Sequence, residues 1–264
     1  VVKPRLKWVY ACLIYLFLYA PIIILIIYSF NDSRYRGSWN GFTLKWYQQL
    51  FQDRQIMSAL YYTLVVAVLS SIIATVLGTA GAIGIHNMKK IKKTMAMNLT
   101  YLPVVNPDIV TGLALMILFI FAHVQLGFGS LLLAHITFNT PYVILSVLPK
   151  LKQLDKNLYE AALDLGATPF HAFQRVILPE IMPRIITGLL LAFTLSVDDF
   201  VISFFTTGSG VSTLSITIYS MARRGINPKI NALSTLLFLT VLLLLIIVNK
   251  RMSSQSPQVR KNLR

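Results

Sequence analysis

LKQLDKNLYEAALDLGATPFHAFQRVILPEIMPR, residues 151–184, is a polar, foldable island between two strongly apolar stretches of a 264-residue chain. Leu154, Leu158, Ala161, Ala162 and Leu165 share one face of a short helix, while Asp155, Glu160 and Asp164 populate the other. Gly166 ends that helix if it takes the left-handed conformation. Pro169 permits a second helix through Phe170, Phe173 and Ile177, and Leu178-Pro179 is expected to stop it. The predicted product is a helical pair with an apolar face and almost no core of its own. Such a surface wants a protein partner.

The flanks build a membrane frame. The chain is 56% hydrophobic and 12% charged, with a mean hydropathy of +0.68, far too apolar for a soluble domain of this length. Crossing a hydrocarbon core of about 30 Å by helix takes roughly 20 apolar residues. That template fits at 8–30, 58–85, 99–122, 131–148, 185–205 and 230–248. The expected fold is an all-α polytopic membrane protein with about six transmembrane helices, one transmembrane domain over residues 1–264 with 151–184 as a loop inside it. The basic start and apolar run imitate a signal peptide, but the run is too long and no small-x-small cleavage site follows before Asn31, so it reads as the first retained span.

The position of the +15 formal charge matters more than its size. Basic residues cluster at Lys3, Arg5 and Lys7, at Lys89, Lys90, Lys92 and Lys93, at Lys150, Lys152 and Lys156, at Arg175 and Arg184, and at Lys250, Arg251, Arg260, Lys261 and Arg264. If the spans alternate, all of these lie on one side. The positive-inside rule makes that side the cytosol, with both termini, the 88–97 loop and the island in it. Arg34, Arg36, Lys45, Arg54, Arg223, Arg224 and Lys229 are left outside. No basic stretch carries interleaved aromatics in a soluble segment, so nucleic acid is not an expected partner.

Catalytic chemistry finds no foothold. Cys12 is the single cysteine, which leaves neither a disulfide nor a thiolate metal site within the chain. His86, His123, His135 and His171 are scattered without ligand spacing, so no metal is expected, and no nucleophile is paired with a base. Gly78 to Gly84 tempts as a phosphate loop but lacks a following Lys-Ser or Lys-Thr and sits in an apolar span. Neither enzyme activity nor a cofactor is expected.

Three local patterns fill in the frame. Leu44, Tyr47, Leu50 and Phe51 recur at helical steps in the first outer loop, which suits a short helix lying in the interface as an aromatic anchor, or touching an external partner. Ser70, Ala74, Gly78 and Ala82 recur every four residues, a stripe that lets another helix approach closely. Pro103 and Asn106-Pro107-Asp108 interrupt the third span, with Asn106 as a cap, Pro107 at the first helical position and Asp108 facing the positive end of the new dipole. Asp108 is either a helix-terminus acid or part of a pathway.

Asp198 and Asp199 lie in an apolar span, where an ionised carboxylate costs about 2.5 to 3.5 kcal/mol. Such a pair needs solvent, partners or a cationic ligand. At 1.5 Å per residue from Ile185, Asp198 stands roughly 20 Å along the helix, in the outer half of the bilayer. Neighbours on a helix differ by about 100°, so at most one of the two points squarely into a pathway. Capping or ion pairing near the outer end, with Arg223 or Arg224, is the other reading.

The spaced motif Glu160-Ala161-Ala162, Gly166, Val176-Ile177-Leu178-Pro179 resembles the cytosolic loop of permease subunits of bacterial ABC importers, with Val176 in place of the usual isoleucine. The resemblance sharpens at Leu195-Ser196-Val197-Asp198-Asp199-Phe200-Val201-Ile202-Ser203-Phe204-Phe205, at Ile218-Tyr219-Ser220-Met221, and at Gly225-Ile226-Asn227-Pro228 with Asn231-Ala232-Leu233. These are similar to the spermidine/putrescine branch of that family, in its C-type subunit. The resemblance implies a type I ABC importer permease fold in the bacterial cell membrane. It also implies a coupling helix, with Glu160, Ala161, Ala162, Gly166, Leu178 and Pro179, seated in separate cytosolic ATPase subunits. Further implied partners are a second, homologous permease subunit, an extracytoplasmic substrate-binding protein and membrane lipid. A polyamine is an extended chain of ammonium groups, suited to the carboxylates of Asp198, Asp199 and Asp108 and to aromatic faces such as Phe204, Phe205 and Tyr219. An importer for another small solute and an ion-coupled carrier remain open as alternatives, the latter leaving the island without a purpose; a membrane-embedded enzyme lacks its constellation.

Overall fold

Lipid leaves an apolar chain little choice but to satisfy its backbone within helices. The computed structural model describes residues 4–33, 38–224 and 228–254, and no strand occurs among them beyond an isolated bridge between Asn31 and Phe42. Lys3, Arg34, Arg36, Gly37, Gly225, Ile226, Asn227, Arg260, Lys261 and Arg264 lie outside the described residues. In order the helices are α1 (Pro4–Ser29), α2 (Lys45–Gln52), α3 (Arg54–Asn87), α4 (Lys90–Val105), α5 (Asp108–Phe121), α6 (Phe128–Gln153) and α7 (Lys156–Asp164). They continue with α8 (Pro169–Asp198), α9 (Val201–Thr206), α10 (Leu214–Arg223) and α11 (Pro228–Ser254). By length and composition four described helices can cross a membrane, or five if α4 and α5 form one broken span. The remaining apolar run of the sequence, 230–248, lies in α11.

Two compact units divide the chain, Val1–Met57 with Ile218–Arg264, and Ser58–Thr217. In the first, α11 packs on α1 and α2. Asn31 organises the loop between α1 and α2. Its Oδ1 accepts from the backbone N–H of Asn40 (2.9 Å), its Nδ2 donates to the Ser38 carbonyl (2.7 Å), and its own carbonyl accepts from Trp46 Nε1 (2.8 Å). That last bond sets the inner face of α2, where Trp46 and Leu50 are buried, while Leu44, just before the helix, and Phe51 are exposed. A buried indole needs an acceptor for its N–H, and Asn31 supplies one. Lys45 pairs with Asp32 and Lys229 with Asp53 (3.2 Å), so two of the basic residues assigned to the outer side are neutralised locally.

In the second unit the small-residue stripe does what its spacing suggests. Ser70, Ala74, Gly78 and Ala82 are all buried on α3. A Cβ at Gly78 would stand 2.6 Å from Val143 Cβ and 3.0 Å from the Thr140 carbonyl of α6. One core cluster joins Ala82 and Ile85 of α3, Val143, Ile144, Val147, Leu148 and Leu151 of α6, and Ile181 and Ala192 of α8. Gly78→Leu is expected to lower the Tm of the purified chain in detergent by roughly 5 °C or more, since overpacking costs about 1–3 kcal/mol. Gly84→Leu, where a Cβ meets nothing within 4 Å, is the matched control and should leave the Tm unchanged.

The third expected span is two helices, α4 and α5, bent by 108°. Asn106 does not cap α5; it ends α4, its N–H donating to Leu102 (3.1 Å), and the Pro107 carbonyl takes the N–H groups of Val110 (2.9 Å) and Thr111 (3.3 Å). Proline lacks the donor that would have continued α4. A second correction falls at Leu178-Pro179, which does not stop the helix. Residues Phe173–Ile177 form a π turn in which the Leu178 N–H reaches the Phe173 carbonyl, and α8 runs on to Asp198. The wider turn relieves the clash that the Pro179 ring would make with the preceding turn, so the island feeds directly into a membrane helix.

Candidate functional site

The island ends α7 with a Schellman turn. Asp155 caps its start by accepting from the Asn157 N–H (3.0 Å). At the other end the Gly166 N–H bonds the Leu163 carbonyl (2.9 Å) and the Ala167 N–H bonds that of Ala162 (3.1 Å), with Gly166 at φ +84°. Glu160 and Ala161 are exposed and Ala162 is half-buried. Leu165 is 89% exposed and Phe170 71%, two large apolar side chains, one on each side of the turn. Leu178 instead packs inward against the core cluster, with Leu154 and Ile177, and Pro179 is exposed beside it. Leu178 therefore anchors the island, and Leu165 and Phe170 present its apolar surface.

The acids gather at the helix breaks. α8 ends at Asp198, whose side chain is exposed, and α9 starts at Val201, so the single span expected over 185–205 is broken at the two aspartates. Asp199 caps α9: its carboxylate accepts from the Ile202 N–H (3.2 Å) and the Ser203 N–H (2.7 Å). Its backbone carbonyl takes the Ser215 hydroxyl (2.6 Å) from α10, and α10 is pinned in turn by the Leu214 N–H on Thr63 Oγ1 (2.8 Å). Asp108 is exposed in the first turn of α5, and its carboxylate is within electrostatic reach of Asp199 and of Tyr142. The second unit thus brings Asp108, Asp198 and Asp199 to one region.

Close packing of α5 on α9 makes that gathering possible. A Cβ at Gly112 would lie 3.0 Å from Phe205 Cδ2 and 3.4 Å from Ile202 Cα. Leu115 and Phe119 of α5, Ala134 and Phe138 of α6 and Ile202 of α9 form the cluster beneath. Phe204 is exposed, its ring centroid 5.6 Å from both Phe200 and Phe205. Tyr219 belongs to the first unit; it is exposed, with the Arg223 guanidinium 6.0 Å from its ring centroid.

Sequence reasoning missed His135, Ser196 and Ser203. His135 is fully buried in α6, its Nδ1 2.6 Å from Ser196 Oγ and its Nε2 3.0 Å from Ser203 Oγ and 3.6 Å from Asp199 Oδ2. Ser196 Oγ is also 3.2 Å from Ser70 Oγ, which accepts from Asn139 Nδ2 (3.5 Å). The signal was available: an ionisable side chain inside an apolar span is a functional candidate by default.

Helices that cross a membrane, carboxylates gathered at two helix breaks, and a helical loop with an exposed apolar face define a multi-pass transport component. The family of the binding-protein-dependent transport system inner membrane component matches residues 74–261, and the chain belongs to that family. The spermidine/putrescine transport system permease protein PotC of Escherichia coli K12 is 42% identical over 233 residues, 88% of each chain. The putrescine transport system permease protein PotI of the same organism is 42% identical over 245 residues, 90% of this chain and 87% of PotI. Among solved structures, a chain of a bacterial ABC transporter that imports alginate shares the fold, with a TM-score of 0.70 at 19% identity over 96% of this chain and 97% of that one.

Proposed function

We propose that the chain is a permease subunit of an ATP-driven importer for polyamines of the spermidine/putrescine class. The observation that carries the reading is the gathering of Asp108, Asp198 and Asp199 at the breaks between α4 and α5 and between α8 and α9. A helix break inside a membrane protein is tolerated where it lines a cavity, and carboxylates there call for a cation. Phe204 adds an aromatic face for ammonium groups. The relatives PotC and PotI bear names that fit the same substrate class.

ATP is hydrolysed in separate cytosolic subunits that dock on the island at Glu160, Ala161, Ala162, Gly166 and Pro179, with Leu178 anchoring the island to the core from its inner side. A second, homologous permease completes the path, and an extracytoplasmic binding protein delivers substrate. Both termini and the 88–97 loop face the cytosol with the island. Because the island runs without interruption into α8, ATP-driven closure of the ATPase pair tilts α8 and moves the break at Asp198, giving alternating access. ATP hydrolysis by the assembled complex should rise severalfold when the binding protein is loaded with spermidine or putrescine, and should not respond to neutral or anionic solutes. Robust hydrolysis by this chain alone would overturn the assignment.

A further inference from the structure

Ser70 on α3, His135 and Asn139 on α6, Ser196 on α8 and Ser203 on α9 form one buried polar chain that ends at Asp199. Asn139 Nδ2 donates to Ser70 Oγ, and Ser70 and Ser196 share a hydrogen bond. A ring proton on Nε2 sets a donor rather than a lone pair against the Asp199 carboxylate and Ser203, and leaves Nδ1 to accept from the Ser196 hydroxyl. His135 therefore touches both sides of the break: Ser196, two residues before Asp198, and the Asp199–Ser203 cap just after it. Where its bonds are made, a buried network of this kind rigidifies the segments it joins; Asn139 Oδ1, at the end away from Asp199, is its one atom without a partner among the described residues.

Resting on the polyamine reading above, we infer that His135 is the positioning residue of this site: it holds Asp199 as the cap of α9, keeps the helix broken, and so leaves Asp198 as the carboxylate presented to the substrate path. Asp199 already spends its two oxygens on the Ile202 and Ser203 N–H groups, with His135 Nε2 at 3.6 Å. Asp198 is exposed and forms no ion pair among the described residues of its unit. The division of labour follows: one aspartate shapes the backbone and its neighbour meets the cation. Without His135 the Ser196 side and the Ser203 side of the break lose their common tether, and the orientation of Asp198 is lost with it.

The ring's two arms can be removed separately. Glutamine at 135 places an amide where Nε2 stood and keeps the arm toward Ser203 and Asp199, asparagine reaches only toward Ser196, and leucine removes both. In the complete complex, reconstituted with its ATPase, second permease and binding protein, His135→Gln should transport spermidine within about threefold of wild type. His135→Asn and His135→Leu should lose at least tenfold, expressed in KM more than in maximal rate. In an Asp199→Ala background, where the cap is already gone, His135→Leu should add no further loss. A readout independent of substrate runs alongside: with Cys12→Ser and Asp198→Cys, labelling of the new thiol by a charged methanethiosulfonate should change severalfold on His135→Asn or His135→Leu and stay unchanged on His135→Gln. If His135→Leu fails to assemble, the glutamine and asparagine variants, both polar and able to insert, decide the matter. Equal uptake and equal labelling for these two would overturn the positioning role. A labelling change, when the complex with Asp198 intact carries no polyamine, would sustain the role of His135 and sink the substrate assignment instead.

Discussion

Asp198→Asn should raise the KM for spermidine about thirtyfold while the complex still assembles and its ATPase subunits still bind. Asparagine has the same size and loses only the charge. Removing one partner of a desolvated charge pair costs about 2–5 kcal/mol; the lower end applies to an exposed carboxylate, and about 2 kcal/mol corresponds to the thirtyfold. Asp199→Asn is the informative contrast. Asparagine caps a helix as well as aspartate does, so the bonds that the Ile202 and Ser203 N–H groups make to residue 199 survive, and uptake should fall by less than at 198. Concentration-dependent uptake of labelled spermidine checks both. Near-identical losses at the two positions, or no loss at 198, would mean that neither charge meets the substrate.

Leu165→Asp combined with Phe170→Asp should abolish capture of the ATPase subunits. Leu165 and Phe170 are almost fully exposed on either side of the Gly166 turn, so charging them leaves this chain's own core intact. A pair of anchors at the centre of an interface is worth about 2 kcal/mol or more each, which is at least thirtyfold in affinity per residue. Co-purification at graded ATPase concentration measures the loss. Gly166→Val tests the same surface through its geometry. A β-branched residue at φ +84° costs about 1–3 kcal/mol, and the Schellman turn that sets the angle between α7 and α8 should yield before the membrane helices do. Uptake should fall severalfold with the chain still inserted, whereas unchanged capture in both variants would remove the island from the coupling path.

Signals that were local in the chain proved legible. The four-residue stripe on α3 reads directly as close helix approach because lipid leaves packing to small residues, and Val143 sits where a Cβ at Gly78 would go. Gly166 reads as a left-handed turn because few other residues fill one. The helix break at 106–108 announces itself through Pro107, although the cap fell to proline rather than Asn106. Tertiary signals were not legible. Nothing local stops a helix after Asp198; the break depends on Asp199 finding two N–H groups and on His135, Ser196 and Ser203, which lie up to 68 residues apart. Leu178-Pro179 misled for a related reason, since a π turn absorbs a proline that sequence rules treat as a stop. In α2 the helical period was legible, but the burial of Trp46 was not, because it depends on Asn31, 15 residues away, accepting the indole N–H.

ATP-dependent uptake of labelled spermidine into proteoliposomes that hold this chain, its partner permease and its ATPase, with binding protein outside, tests the central claim most directly. Saturable uptake is expected that requires ATP, is displaced by putrescine, is indifferent to an imposed ion gradient, and is lost in Asp198→Asn. Uptake driven by an ion gradient in vesicles that hold this chain alone, or transport by the full complex of an anionic or neutral solute that polyamines fail to displace, would contradict it.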